Sequence, residues 1–327
     1  MKKVLALVLL CGAACAGWVL YFARTPVTLP ATPYEFTVHQ GAGLKTVARQ
    51  LAADGVFPEG ETFWILGRLL GRARSIQAGT YRLDKPLTPI EILDKLARGD
   101  VVFAEAVFVE GMTLRQWLAQ LAVQPEVKHA LSGKSEAEIR ATVGEGPEPL
   151  EGWLFPDTYR FAPGASDADI LKRAHAAMKR RLAEAWDARD PAVPLATSYE
   201  ALILASIIEK ETGLASERPL IASVFVNRMK RGMRLQTDPT VIYGMGERYG
   251  GNIRKKDLIA DTPWNTYTRD GLPPTPIAMP GAASLRAALH PADSQFLYFV
   301  SRGDGSHEFS RTLEEHNRAV AKYQLKR

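Results

Sequence analysis

The sequence predicts an α+β chain: an N-terminal apolar helix, a small subdomain of strand–turn–helix units, and a larger, mixed but helix-rich domain. Three observations carry this reading. Val4 to Ala23 is a run of twenty residues without a charge, between Lys2-Lys3 and Arg24. Gly41 precedes Leu44, Val47 and Leu51 by three, six and ten residues, and Gly111 precedes Leu114, Trp117 and Leu121 by the same steps. Apolar stripes at helical spacing then dominate the second half, with one clear strand at Gln295–Ser301.

At about 1.5 Å per residue, twenty helical residues span a hydrocarbon core of roughly 30 Å. The lysine pair ahead of the run places the N-terminus in the cytoplasm. The expected layout is a cytoplasmic tip at 1–3, a transmembrane helix at 4–23, and everything beyond it exported. A cleaved signal peptide ending in the small residues Ala14 to Gly17 is the rival. The apolar run continues past them, which favours a retained anchor. Cys11 and Cys15 are the only cysteines, so the exported part has neither a disulfide nor a thiol nucleophile.

Residues 24–33 hold three prolines and no periodicity, as in a stiff linker. Tyr34–Val38 alternates as a strand, and the helix after Gly41 stops at Asp54-Gly55. Thr88-Pro89-Ile90-Glu91 has capping-box spacing with proline at the first helical position. The repeated units over residues 34 to about 122 suit either a plain packing unit or a small polysaccharide-binding module of the LysM kind. Val127–Pro149 reads as surface structure. Within it Gly133-Lys134-Ser135 lacks the earlier glycine a phosphate loop needs, since Lys128 stands there. Ser166 or Asp167 caps a helix to about Asp187, and Thr312 caps a last one to Lys326.

The net charge of +5 comes without a Lys/Arg-rich run, so nucleic acid is a poor partner. The six histidines are scattered, and none sit at the i, i+4 spacing of a helical zinc site; no metal or other cofactor is expected. No G-x-S-x-G elbow is present. Carboxylate acid–base chemistry is what remains.

The stretch that could supply it is Tyr199–Gly244. An apolar run, Ala201–Ile208, is interrupted only by Ser206 and delivers Glu209 and Glu211 to a helix end near Gly213. A polar segment, Gln236 to Thr240, follows one helix later. Two positions apart on a helix, the glutamates point about 200° from each other. Glu211 has Ile207 and Ile208 one turn back, whereas Glu209 has Ala205 and Ser206. Apolar surroundings and the negative end of the helix both favour a neutral carboxyl, as a general acid requires. The plainer reading makes both glutamates salt-bridging residues, with Lys210 and Arg218 as partners.

From Leu204 to Gly246 the sequence closely resembles the endolytic murein transglycosylases, the YceG-like family. The matching blocks are Ala205–Thr212, Ala222–Arg228 and Met233–Gly244. Shorter matches occur at Gly79–Arg82, Glu110–Met112, Glu151–Trp153, Asn265–Tyr267 and Gly271–Pro274, with Trp264 as the departure noticed. The resemblance implies a single-pass inner-membrane enzyme with a LysM-like subdomain at 34–105 and a transglycosylase domain at 106–327. It implies cleavage of peptidoglycan glycan strands without water, leaving 1,6-anhydro-MurNAc ends, and work alongside wall-synthesis enzymes such as penicillin-binding proteins. Its catalytic glutamate maps onto Glu211. Gln236, Asp238, Tyr243, Asn265 and Tyr267 are the expected sugar-holding residues. A lysozyme-like hydrolase using Asp238 or Glu217 as second carboxylate, and a non-catalytic wall-binding scaffold, are the competing functions.

Overall fold

The computed structural model describes residues 2–144 and 146–325, without the side chains of residues 2, 5, 7, 8 and 15. In chain order the elements begin with α1 (Lys2–Arg24), β1 (Tyr34–Val38), α2 (Leu44–Ala53), α3 (Glu61–Leu69), β2 (Gly79–Leu83) and α4 (Pro89–Arg98). Next come β3 (Ala104–Val107), α5 (Leu114–Ala122), α6 (Glu136–Val143), β4 (Thr158–Phe161) and α7 (Asp167–Asp187). The last are α8 (Ser198–Glu211), α9 (Arg218–Lys230), α10 (Asp238–Met245), α11 (Lys255–Ile259), α12 (Ala282–Leu289), β5 (Tyr298–Ser301), β6 (His307–Ser310) and α13 (Leu313–Tyr323). The strands form three separate two-stranded sheets, so the architecture is α+β and rich in helix. Two compact units result: Met1–Ala104 with Arg160–Gly164, and Glu105–Tyr159 with Ala165–Arg327.

In the first unit β1 and β2 pair antiparallel with Phe36 opposite Tyr81, and the two rings stack at 5.6 Å. Leu44, Val47, Ala48 and Leu51 of α2 and Ile92, Leu93 and Leu96 of α4 close the core, as their spacing predicts. Thr88 and Glu91 form the expected capping box. α3 escaped the sequence reading, although its Phe63 and Leu66 are buried.

The N-terminal helix forms, but among the described residues no helix is long and apolar enough to cross a membrane. The transmembrane assignment of 4–23 is corrected accordingly. The last turns of α1 pack on protein: Ala23 is buried, and Val19 and Phe22 lie against the core of the first unit. The proline-rich segment at 24–33 is likewise docked rather than free, since Val27 is buried and its N–H donates to Leu87 O at 2.9 Å.

In the second unit α8 is the central element. Ala201 through Ile208 are buried all round, because α7, α9, α10 and α12 each pack on it. Ser206, the one polar interruption, donates to Ile203 O at 2.7 Å and accepts from Ile277 N–H at 3.0 Å. It therefore ties the 275–281 segment to α8. Three local expectations change. Val127–Pro149 contains α6, whose Ser135/Glu138 capping box is the signal that was overlooked. The polar segment after α9 is a helix start, with Asp238 and Pro239 in the first turn of α10. The final helix ends at Tyr323, and Lys326 lies outside the described residues.

Candidate active site

α8 stops at Glu211 because Thr212 turns to an extended conformation (φ −144°), and the Thr212 hydroxyl accepts from Leu214 N–H at 3.0 Å. This leaves Glu209, Lys210 and Glu211 in the rim of a cavity of about 630 Å³, with Glu110 and Arg218 opposite. Helical geometry separates the two glutamates as their spacing predicts. Glu209 is bound on both oxygens: Oε1 accepts from Arg218 Nη2 at 3.0 Å, and Oε2 accepts from Gly281 N–H at 2.9 Å. The Glu110 side chain packs so closely on Gly281 that a Cβ there would have to displace it. Glu209 thus ties α8 to α9 and to the start of α12.

Glu211 differs. Its Oε1 accepts the hydroxyl of Thr237, and among the described residues its Oε2 has no hydrogen-bond partner. Burial pushes the carboxyl up to about 7; the Thr237 hydrogen bond opposes this, and the nearby charge of Asp238 adds to it. A carboxyl near 7 with one free oxygen at a cavity mouth can give and take a proton at neutral pH.

The groups nearest Glu211 are Thr237 at the N-cap of α10, Asp238 in its first turn and Tyr267 in the loop after α11. Gln236 adopts the left-handed region (φ 52°), the only such non-glycine among the described residues, at a cost of about 1–3 kcal/mol. Its Oε1 accepts from Arg228 Nη1 at 3.3 Å, and its N–H donates to Thr266 O at 3.2 Å. Arg228 also donates to the carbonyls of Leu297, Arg234 and Leu235 at 2.7, 3.1 and 2.9 Å, which fixes the segment entering this kink. Asp238 accepts the Tyr267 hydroxyl at 2.6 Å, and burial with that contact raises the phenol above its ordinary range.

Asp238 and Tyr267 therefore lie near Glu211, Gln236 is turned to Arg228 just ahead of Thr237, and Asn265 is not available to a ligand. It is 1% exposed; its Nδ2 donates to the carbonyls of Leu258 and Ala260, and its Oδ1 accepts from Tyr267 N–H. It braces the loop. Tyr243 lies in the wall of a second cavity of about 920 Å³, alongside Leu114, Tyr249, Trp264 and Ile277. Its ring meets that of Trp264 edge-on at 5.5 Å. Lys210 borders both cavities. Glu217, the other hydrolase candidate, is engaged by the N–H and Nδ1 of His307 at 3.0 and 2.7 Å.

Two residues were missed from sequence. Thr237 is nearly fully buried and touches Glu211 directly, yet in the sequence it is one hydroxyl in a polar run. Glu151, 5% exposed, borders the second cavity, with both oxygens accepting from Leu114 N–H and Oε2 also from the Tyr243 hydroxyl at 3.2 Å. Burial pushes it up to about 7. Because its folded pKa lies above the unfolded one, its contribution to stability is complete below about 4.5 and is lost as pH rises through about 7. Urea titrations of wild type and Glu151→Gln between pH 4.5 and 8 should show a wild-type decline of about 3 kcal/mol from this group, absent in the variant.

A family model for YceG-like proteins matches residues 36–322. The chain belongs to the YceG-like family. Among relatives, the endolytic murein transglycosylase of Bacillus subtilis is 35% identical over 310 residues, covering 89% of this chain and 85% of that one. The endolytic murein transglycosylase of Streptococcus pneumoniae serotype 2 is 27% identical over 321 residues, 88% of this chain, which spans 57% of that longer protein. The crystal structure of a YceG-like protein of Listeria monocytogenes superposes with a TM-score of 0.56 at 32% identity, over 88% of this chain and all of the other. The YceG-like match takes in α8, α10 and every residue described at the site.

Proposed function

We infer that this YceG-like protein is a peptidoglycan lytic transglycosylase in which Glu211 is the single catalytic acid and base. The observation that carries the reading is the half-engaged carboxyl: Oε1 held by Thr237, Oε2 open to the cavity, and a pKa of about 7. Protonated Oε2 gives its proton to the glycosidic oxygen as the bond from MurNAc C1 breaks. The C6 hydroxyl of the same sugar then attacks C1 and returns its proton to Glu211. No water is consumed, and a 1,6-anhydro-MurNAc end remains. A hydrolase would need a second carboxylate free to activate water or attack C1. Tyr267 on Asp238 and His307 on Glu217 weigh against that alternative.

The aromatic wall of Tyr243, Tyr249 and Trp264 suits the apolar faces of sugar rings. In the first unit, the order β1–α2–α3–β2 with antiparallel strands supports a LysM-like carbohydrate-binding module. The exposed Val4, Leu9, Leu10 and Trp18 of α1 support attachment at the cytoplasmic membrane, with the catalytic unit outside. Such a place would bring the enzyme to nascent strands and to wall-synthesis enzymes such as penicillin-binding proteins.

Product analysis tests the chemistry. Glycan strands digested with purified protein should carry ends lighter by one water than reducing ends by mass spectrometry; exclusively reducing ends would make the enzyme a hydrolase.

A further inference from the structure

We propose that Thr237 is the positioning residue of the site: its hydroxyl, held against Glu211 Oε1 by a buried threonine ring, donates to that oxygen and so assigns the catalytic proton to Oε2. This deepens the reading of Glu211 as the acid and rests on it.

The argument is one of hydrogen-bond direction. Thr237, Thr240 and Thr266 form a buried ring. Thr240 uses its only hydroxyl proton on Thr237 O, at 2.7 Å. Its contact with Thr266 Oγ1 at 2.9 Å must then be donated by Thr266. Thr266 Oγ1 in turn accepts from Thr237 N–H at 3.1 Å. The ring thus fixes the Thr237 backbone through its N–H and carbonyl, and the Thr237 hydroxyl meets Glu211 Oε1, to which it donates whenever that oxygen carries no proton. The left-handed kink at Gln236, pinned by Arg228, turns Thr237 toward the end of α8.

A carboxyl oxygen that accepts a donor held against it is the poorer place for a proton. The acid's proton therefore resides on Oε2, which has no protein partner among the described residues. The same donor favours the ionised form and offsets the burial that raises Glu211. The other titratable groups around Glu211 are Asp238 from α10 and Tyr267 from the loop after α11. Glu110, Glu209, Lys210 and Arg218 share its cavity.

The test is the pH profile of kcat/KM for the full chain and its Thr237→Val and Thr237→Ser variants. Glu211 must be protonated to start the reaction, so the rate falls above its pKa. Removing the donor should move that basic limb upward by about one pH unit and lower the maximum about tenfold. Thr237→Ser keeps the donor and should restore both limb and rate. A Thr237→Val profile that is lower but unmoved would reduce Thr237 to packing and overturn the proposal, as would a serine variant that behaves like valine. If Thr237→Val does not fold, the serine variant decides: it must retain the wild-type limb. Glu211→Gln run alongside separates the two readings. Retained activity there defeats Glu211 itself, whereas an inactive Glu211→Gln with an unmoved Thr237→Val profile defeats only the role of Thr237.

Discussion

Glu211→Gln should fold as wild type and lose glycan cleavage by a factor of 10² to 10⁴, the usual contribution of a general acid. At about 1.4 kcal/mol per decade this corresponds to roughly 3 to 5.5 kcal/mol of transition-state stabilisation. The amide keeps the shape and can still meet the Thr237 hydroxyl through its carbonyl oxygen, but it has no acidic proton for the leaving group. Burial near Ile207 and Ile208 makes the neutral side chain easy to accommodate, so stability should be unchanged or slightly improved at neutral pH. Glu209→Gln should do the opposite. It weakens the ion pair to Arg218, whose partners are 5% and 11% exposed, and so should lower the unfolding midpoint while leaving most of the turnover. Rates of anhydro-end formation together with melting curves read both effects; an active Glu211→Gln with an inactive, stable Glu209→Gln would reverse the assignment.

The second large effect is expected at Arg228. Its guanidinium is buried and donates to three backbone carbonyls and to Gln236 Oε1, and it lies over the ring of Tyr298 at 5.0 Å. Arg228→Met keeps much of the length but leaves buried carbonyls without donors. Each such group costs about 1–3 kcal/mol, so a total of roughly 3–5 kcal/mol is expected, given that some will recruit water. Because the same bonds hold Gln236 in its left-handed conformation, activity should fall further than the unfolded fraction accounts for. Urea denaturation measures the first effect and the rate per folded molecule the second. A change under about 1 kcal/mol would show that the 234–236 segment is held by other contacts.

Much of this was legible from residue order. Helix periodicity around Leu44, Trp117 and Met178, and caps such as Thr88 and Ser166, are local features, and they form where the pattern places them. The sequence family resemblance also agrees with the YceG-like match. What escaped was non-local or hidden in polar stretches. α6 was obscured by the Gly, Glu and Pro residues around it, although its capping box was in view. The twenty-residue apolar run looked like a lipid-spanning helix because hydropathy does not reveal that Val19, Phe22 and Ala23 pack on protein. Asn265 looked like a sugar ligand because a side-chain amide in a polar loop carries no mark of already being bound to that loop.

The active-site stretch divides along the same line. Sequence alone determined that Glu209 and Glu211 face apart and that Glu211 has the more apolar support, since both follow from the 3.6-residue turn and the identities one turn back. Tertiary structure decided what each carboxyl meets. Arg218 is nine residues from Glu209 and Gly281 is seventy-two, while Thr237 is twenty-six from Glu211. Hydrogen bonds over such separations depend on how α9, α10 and the start of α12 pack around α8. One carboxyl ends bound on both oxygens and the other on only one, and that difference arises from packing rather than from the helix that carries them.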